Sequence, residues 1–428
     1  MAGRLACLVL IGAACGIHPH AALAQPADPL EGLTVTEIRV TGLRHLPPDS
    51  VERHLTTRVG QPFRRGALQT DQRRLDELRL FTTVLMDPRL ENDGVIVEVA
   101  VTETLRLLPI VVIRVTDENG VSAGPGLRGI NLLGGESQTG ISARFGGETG
   151  VSVNVDGTTI TPGTWTRHLG FSYTKRENVL YGFDESATSA DARYARNWQK
   201  GLRAGATADL LAIGGEDSDE LTPDDSTDVI PTLGTFVTLD TLDSSTNPRG
   251  GTWAEVEVNR RMGDAQSWTF ILDGRRYQPL SDRHGLSLFS LATFQSGEVG
   301  NGLPDYLQFD LGGANTVRGW SLGARRGRHQ WITTLEYAYV VQPVRAFSVA
   351  GVNLYAGVQV VGFADAGLAW GNGDEDQTGI DGYGVGLRFL VPFVDLLRLD
   401  VAWGEPGRGA TGYFGVSLKA ARQRQRVR

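Results

Sequence analysis

From about residue 107 onward, short stretches of alternating apolar and polar residues are separated by Gly, Asn, Asp and Pro clusters. In YGVGLRF (383–389), aliphatic or aromatic residues take every second position, and glycine or arginine takes the others. LRLDVAW (397–403) and WITTLEYAY (331–339) alternate in a similar way. This two-residue period is typical of β-strands. An apolar face opposite a small or charged face suits strands with lipid outside and a polar lumen inside.

The length of this region predicts the number of strands. A membrane-spanning strand with its connection takes about 20 residues, so roughly 310 residues predict about 16 antiparallel strands in a transmembrane β-barrel. A soluble β-sandwich or propeller is the alternative, because local alternation alone does not distinguish these folds. The chain lacks a regular blade-length repeat and begins with an export-like segment, which favours the membrane barrel.

Residues 33–104 have a different pattern, which predicts a small α+β domain. A helix-start signal at Pro47–Ser50 precedes one short helix, and a longer amphipathic helix follows Gly60–Phe63. Three alternating stretches accompany the helices, and an Asn-Asp-Gly turn separates the last two. The predicted order is β-α-α-β-β: a strand at 33–41, helices at 51–55 and about 67–80, and strands at 83–86 and 95–102.

Residues 1–24 have the features of a secretory signal peptide. A basic start is followed by an apolar run at Leu5–Ile17 and by an A-x-A cleavage site ending at Ala24. A membrane anchor would need about 20 apolar residues, which is more than this run offers. Both cysteines, Cys7 and Cys15, lie in this segment, so the exported chain is expected to have no disulfide and no cysteine metal site.

Charge and hydropathy narrow the functional classes further. The net charge of −8 argues against a nucleic-acid partner. After the first 24 residues, no apolar run is long enough for a membrane helix. An exported chain with many strand-like stretches and no such helix is predicted to be an outer-membrane barrel.

Ordered motifs support a family resemblance. The N-terminal segment resembles a POTRA (polypeptide-transport-associated) domain through EIRVTGLRHLP, VGQPF, LRLFTTV and VEVAVTET. The β region resembles the barrel of the BamA/TamA outer-membrane assembly family, also called the bacterial surface antigen family. The matching motifs, in order, are LDTLDSSTNPRGG, LGGANTVRGW, LEYAYVV, FADAG, and GVGLRFLVPF followed by LRLDVAWG. The expected division is a signal peptide at 1–24, one POTRA domain at 33–104, an outer-membrane barrel at 107–420 and a basic tail at 421–428.

The resemblance implies a role for the VRGW loop. In this family the loop folds back into the lumen, where its arginine meets acidic groups of the inner wall. Carried over by position, Arg318 is the loop cation, Asp365 of FADAG is its partner, and Glu336 of LEYAY is a second partner. The loop motif comprises Val317, Arg318, Gly319 and Trp320.

Strand alternation favours the same arrangement without the family. Phe363 and Asp365 share one face of GFADAGLAW, which makes Phe363 a further candidate partner of Arg318, and Glu336 lies opposite the aromatic row of WITTLEYAY. Both acids are expected to face inward, because a carboxylate on the lipid face is unfavourable. Arg318 is suited to meet them, since a guanidinium can bind a carboxylate through two parallel hydrogen bonds. This network is expected to brace the loop and to do no chemistry.

The resemblance also implies a function in which client β-proteins are inserted into, or moved across, the outer membrane. The barrel must close by pairing its first strand, near 108–116, with its last strand, near 413–418. Gly412 would flank that last strand and Gly415 would interrupt it, which weakens local pairing. A weak seam could open sideways and present a strand edge to an incoming chain. One departure stands out: the family usually ends on an aromatic residue, whereas here Tyr413 and Phe414 start the last strand.

The expected partners and location follow from this reading. Clients would be outer-membrane or secreted proteins, with outer-membrane lipid, periplasmic chaperones and accessory lipoproteins as further partners and no nucleic acid. The barrel would lie in the outer membrane and the POTRA domain in the periplasm. Three alternatives stay open: a secretion pore resembling two-partner transporters, a plain porin, and an outer-membrane hydrolase using Ser321.

Several motifs resemble catalytic or binding sites without their context. Gly319–Gly323 matches G-x-S-x-G, with His329 nearby, but no strand-to-helix turn is predicted there. Gly124–Gly129 matches G-x-G-x-x-G but is expected to form a barrel hairpin. Acidic loops at 217–225 and 374–376 lack a full calcium spacing, and the histidines lack metal spacing. No catalytic residue, cofactor or metal is therefore predicted.

Overall fold

The computed structural model describes residues 28–417 except 79, 135, 159–163, 199–200, 217–226, 245–246, 350–351, 372–378 and 392–394. The predicted signal peptide, the residues of the two acidic loops and the basic tail lie outside the described residues. Among the residues that the structure describes, no helix is long and apolar enough to cross a membrane.

The N-terminal domain has the predicted β-α-α-β-β order. Its elements are β1 (Val35–Thr41), α1 (Asp49–Glu52), α2 (Arg65–Glu77), β2 (Phe81–Glu91) and β3 (Gly94–Glu103). The sheet order is β1-β3-β2, with β1 parallel and β2 antiparallel to β3. The longer helix lies slightly earlier in the chain than the predicted 67–80. Both helices bury apolar side chains against the sheet, as at Val51 and Leu75, which are fully buried.

Glu103 ties the end of β3 to the loop before α1. Its carboxylate accepts the backbone N–H groups of Arg44, His45 and Leu46 at 2.7, 2.8 and 2.9 Å. The His45 ring lies 2.9 Å from the second oxygen. Burial opposes ionisation, but these donors outweigh it and lower the pKa of Glu103 to about 2.

We expect the N-terminal domain to lose stability between about pH 4.5 and pH 2. The folded pKa of Glu103 is below the ordinary 4.5, so its contribution is complete above 4.5 and is lost as the pH falls through the folded value. The rate of pepsin cleavage within residues 33–104, measured across this range in the full chain, checks the prediction. Glu103→Gln should flatten the pH dependence, whereas the exposed Glu52→Gln should not.

The remaining chain forms one antiparallel sheet of 16 strands, which confirms the predicted barrel and strand number. Neighbours in sequence are neighbours in the sheet, except that the strands at His284–Gln295 (β14) and His329–Val349 (β19) pair across a long connection. The strands are β4 (Leu107–Thr116), β5 (Gly120–Ile130), β6 (Gln138–Gly146), β7 (Glu148–Thr158), β8 (Trp165–Asn178), β9 (Phe183–Asn197), β10 (Leu202–Glu216), β11 (Thr227–Asp240), β12 (Gly251–Arg261), β13 (Trp268–Pro279), β14 (His284–Gln295), β19 (His329–Val349), β20 (Val352–Trp370), β21 (Ile380–Val391), β22 (Asp395–Trp403) and β23 (Thr411–Ser417).

The connection between β14 and β19, residues 296–328, is here called the lumen loop. It contains short elements: β15 (Glu298–Val299), β16 (Gly302–Leu303), a 3-10 helix at Asp305–Leu307, β17 (Phe309–Leu311) and β18 (Arg325–Gly327). Because the strands alternate in direction, this loop leaves the barrel at the end opposite to the start of β4. We name that end the loop rim, and the end where β4 begins the domain rim.

The alternating faces have the predicted environments. Tyr383 and Val385 are 60% and 53% exposed, whereas Arg388 on the opposite face is buried. Asp400 is buried in the same way beside exposed Leu399. The apolar face therefore points outward and the polar face into the barrel, as lipid outside and water inside require.

Two sequence interpretations need correction. Gly124–Gly129 does not form a hairpin but lies within β5, where an added Cβ at Gly124 would meet the Ala143 carbonyl oxygen at 2.1 Å. Gly412 does not flank the last strand but lies inside it, paired with Val401. Gly415, three residues further along β23, pairs with Arg398, so the ladder to β22 continues past both glycines.

The first and last barrel strands form a seam. β23 lies beside β4, but the two are the ends of the sheet order, and no strand ladder joins their described residues. Every other neighbouring pair in the barrel is connected by a ladder. The seam is therefore the place where the described wall lacks regular backbone pairing.

The N-terminal domain contacts the barrel at the turn between β5 and β6. Glu136 lies 3.1 Å from the His54 ring and 3.4 Å from the Arg53 guanidinium. The Gln138 side chain donates to the Leu78 carbonyl at 3.0 Å, and Ile130 joins the apolar core of the domain. The domain is thus attached to the hairpin next to the first seam strand.

Candidate functional site

Arg318 lies in the lumen loop and is fully buried inside the barrel. Its Nε and Nη2 atoms donate to the two oxygens of Asp365 at 2.7 and 2.9 Å, which is a bidentate pair. The backbone N–H of Arg318 adds a third bond to Asp365 at 3.1 Å. The Thr334 hydroxyl donates to the same carboxylate at 2.6 Å. The residue predicted as the loop cation and the one predicted as its partner are therefore in direct contact.

Two further carboxylates complete the surroundings of the guanidinium. Its Nη1 atom donates to Asp400 at 2.9 Å and to Glu336 at 3.2 Å. Arg388 links these two acids, with contacts of 2.5 Å to Asp400 and 3.2 Å to Glu336. Arg398 approaches Asp400 at 3.5 Å. Three arginines thus face three carboxylates, which balances the charge of a buried cluster.

Sequence reasoning did not assign Asp400 and Arg388 to the site, although a signal was present. Both residues fall on the inward face of alternating strands, together with small neighbours. Alternation gives the face but not the height along the strand, so it could not show that they meet Arg318. In the antiparallel register of β21 and β22, Arg388 pairs with Arg398 and Asp400 pairs with Gly386, so Arg388 and Asp400 are diagonal neighbours on the same face.

The guanidinium also stacks on Phe363, with its central carbon 3.3 Å from the ring centre. Glycines on the neighbouring strand β21 leave room for Phe363 and for the loop backbone at Arg318. A Cβ at Gly384 would lie 2.5 Å from the Phe363 ring, and one at Gly382 would lie 1.9 Å from the Arg318 carbonyl oxygen. The loop backbone can therefore approach the wall only because these positions lack side chains.

The rest of the motif fixes the loop on the wall. Val317 is fully buried in an apolar cluster with Leu311 and Ile332. Gly319 has φ +93°, and a Cβ there would lie 2.5 Å from the Trp403 carbonyl carbon. Trp320 donates its ring N–H to the Asp381 carbonyl at 2.7 Å. Each motif residue thus has a specific place against the barrel.

The lumen loop also contacts both sides of the seam. On the β23 side, the Tyr413 hydroxyl accepts the Gly319 N–H at 2.9 Å. On the β4 side, Asp117, which directly follows that strand, accepts the Ala314 N–H at 2.5 Å. The loop therefore bridges two strands that lack a ladder of their own. Sequence reasoning missed both contacts, because the path of a loop leaves no periodic signal.

Ser321 has the environment of a structural hydroxyl. It donates to Glu405 at 2.6 Å, its backbone N–H donates to the same carboxylate at 3.0 Å, and Arg408 donates to its oxygen. The hydrogen bond from Ser321 is the largest cause that lowers the pKa of Glu405. The Nδ1 atom of His329 instead accepts the Gln295 N–H at 3.2 Å. The short strand β18 follows the motif where a nucleophile elbow would need a helix.

Beside the buried cluster lies a cavity of about 780 Å³ in the lumen. Charged side chains of both signs line it, among them Arg275, Asp273, Glu336 and Arg388. Within the part of the chain that the structure describes, no group of three or more His, Cys, Asp or Glu side chains is arranged to hold a metal ion.

Comparisons with solved structures identify the same fold elsewhere. BamA from Haemophilus ducreyi lacking POTRA domains 1–3 is 15% identical, with a TM-score of 0.59 over 90% of this chain and 83% of that chain. CdiB from Escherichia coli is 14% identical, with a TM-score of 0.56 over 94% and 92%. CdiB from Acinetobacter baumannii is 13% identical, with a TM-score of 0.55 over 90% and 74%. A comparison with curated proteins gave no match.

Family profiles match both parts of the chain. A surface antigen variable number repeat, of the POTRA type, matches residues 33–104. An Omp85 superfamily domain matches residues 131–418, which is more than half of the sequence. This chain belongs to the Omp85 superfamily.

Proposed function

We propose that this protein assembles or moves client β-proteins through a barrel that opens at the seam between β4 and β23. The single observation that carries the proposal is the seam itself: two adjacent strands whose described residues share no ladder, bridged by a loop that a buried arginine holds in place. Opening such a seam breaks few backbone bonds. The exposed edge of β4 or β23 could then pair with an incoming strand.

In this proposal the lumen loop sets the state of the seam. While Arg318 is bound by Asp365, the loop contacts both Asp117, next to β4, and Tyr413 of β23, and so holds the two seam strands together. Release of the loop removes both bridging contacts together. A network with two discrete arrangements can switch in this way without deforming the wall.

The family and the topology support a proposed location for each part of the chain. A barrel of this superfamily lies in the outer membrane. We place the N-terminal domain, residues 33–104, in the periplasm, preceded by the signal peptide at 1–24; the barrel then spans 107–420 and the basic tail 421–428. Client outer-membrane or secreted proteins would arrive from this side, delivered by periplasmic chaperones or accessory lipoproteins.

Cross-linking the seam tests the proposal. The described chain has no cysteine, so one cysteine placed in β4 and one in β23 would form the engineered bond. We expect oxidation to stop client assembly and reduction to restore it. A matched control is Ser172→Cys with Ser189→Cys, two facing residues in the closed wall whose hydroxyl oxygens lie 2.8 Å apart. Full client assembly by the locked seam would contradict lateral opening.

We also propose that the protein is not an enzyme. Ser321 is hydrogen-bonded to Glu405 and Arg408. Ser321→Ala removes only these hydrogen bonds, whose net contribution at a part-exposed site is small. We therefore expect client assembly by this variant to stay within about twofold of that by the unaltered protein. Outer-membrane protein levels after complementation of a depletion strain measure the effect. A complete loss of function in this variant, with a normal amount of folded barrel, would support the hydrolase alternative.

A two-partner secretion pore is the second candidate. The fold resembles the two CdiB structures nearly as closely as BamA, and the lumen contains a polar cavity. Depletion in the native host separates the candidates. Loss of many outer-membrane proteins supports an assembly factor, whereas loss of one secreted protein supports a dedicated pore.

A further inference from the structure

The hairpin of β19 and β20 extends beyond its neighbours at the domain rim. β19 pairs with β14 only up to Tyr339, opposite His284, yet it continues to Val349. β20 starts at Val352, but in the described residues its ladder with β21 begins only at Gly357. Residues 341–349 and 352–356 therefore form a two-stranded ribbon, here called the projecting hairpin. At about 3.3 Å per residue, its β20 half alone extends roughly 15 Å.

The two edges of the projecting hairpin differ. The β19 edge contains Pro343, which lacks an N–H, and its register shifts between Val340 and Gln342 and again between Gln342 and Arg345. Proline and irregular register are the devices that protect a strand edge from pairing. The β20 edge, 352–356, has a continuous register and no proline. Of the two edges, only the β20 edge lacks these protective features, and among the described residues no strand pairs with it on the side away from β19.

The open edge continues an existing ladder. Val349 pairs with Val352 across two residues, and the closing pair of such a hairpin exchanges two hydrogen bonds. By alternation, the N–H groups of Asn353 and Tyr355 then point away from β19. This is the direction in which Gly357, two residues further, meets Leu390 of β21. An added strand would continue the sheet beyond the end of β21, at the domain rim.

We infer that the open edge of the projecting hairpin binds an extended strand of a client polypeptide before the client reaches the seam. Unpaired strand edges do not lie in hydrocarbon, so this edge contacts water or protein. The edge presents a row of backbone donors and acceptors, and the partner that fits such a row is another strand. The edge faces β21, β22 and β23, which lead to the seam. This inference rests on the proposed function and names a first contact for its client.

The test uses the full chain in liposomes and, as a defined client, the urea-unfolded residues 107–417 of the same chain. A photo-cross-linking amino acid at Asn353 reports contact, and one at Gln342 on the protected edge is the comparison. We expect adducts with the client from position 353, with about tenfold fewer from position 342. The adducts should persist when the seam is locked by its disulfide, although insertion stops.

Proline substitution tests the backbone role. Tyr355→Pro removes one outward N–H. The loss of one backbone hydrogen bond weakens binding by up to about tenfold, so adduct formation from position 353 should fall about tenfold. Val344→Pro, in the register shift of the protected edge, should leave adduct formation from position 353 unchanged.

Equal capture and insertion by Tyr355→Pro would overturn the inference while leaving the proposed function intact. Adducts to the N-terminal domain of the same chain would overturn it in favour of an internal contact. Failure of the unaltered protein to insert the client would overturn both.

Discussion

Arg318→Glu should abolish client assembly while the barrel still folds. The substitution places a carboxylate where Asp365, Asp400 and Glu336 now contact a guanidinium at 2.7 to 3.2 Å. Removing one partner from a buried ion pair costs about 3–5 kcal/mol, and like charges add to that. The ladders of the 16 strands do not pass through the loop, so the barrel should persist. Outer-membrane protein levels in a complemented depletion strain and the gel mobility of the folded barrel measure the two effects.

A matched reversal at Asp365 should restore part of this loss. In Arg318→Glu with Asp365→Arg, the pair is re-formed with its charges exchanged, but the new glutamate still lies beside Glu336 and Asp400, so recovery should be incomplete. Arg283→Glu is the control, because it makes the same charge change at an exposed turn. Equal activity of Arg318→Glu and the unaltered protein would remove the physical basis of the proposed loop control.

The second large effect is expected from a single methyl group. In Gly382→Ala the new Cβ would lie 1.9 Å from the Arg318 carbonyl oxygen, and neither atom belongs to a flexible side chain. The loop must therefore move away from the wall, at a cost of about 1–3 kcal/mol or more. We expect the loop to become accessible to added protease and client assembly to fall severalfold.

Gly362 offers a matched control on the neighbouring strand β20. A Cβ at Gly362 has no atom within 4 Å, so Gly362→Ala should leave both the loop and the assembly activity unchanged. A protease-resistant loop in Gly382→Ala would show that the close approach of loop and wall does not hold the loop.

The barrel was predictable because each strand position has only two environments. Exposed Tyr383 and buried Arg388 differ in polarity as lipid and lumen do, and that contrast recurs along β19 to β22. The N-terminal domain was predictable in order but less so at its helix ends, where propensity changes gradually. The prediction for Gly124–Gly129 was wrong because glycine serves both turns and close strand contacts, and here the neighbouring Ala143 backbone requires it.

The site was predictable only as far as faces and family position allow. Alternation placed Glu336 and Asp365 on the inward face, and both carboxylates contact Arg318 in the structure. The contacts of Asp117 and Tyr413 depend on the path of a 33-residue connection, which hydrophobic pattern does not encode. Asp400 required the register between two strands as well as its face.

The attachment of the N-terminal domain to the β5–β6 turn has a mechanical consequence. Glu136 holds His54 and Arg53, and Ile130 extends β5 into the core of the domain. A rotation of the domain must either break these contacts or pull the β5–β6 hairpin with it, and β4 is the next strand along. A client that pulls on the domain would therefore transmit force through the β5–β6 hairpin to β4, the first strand of the seam.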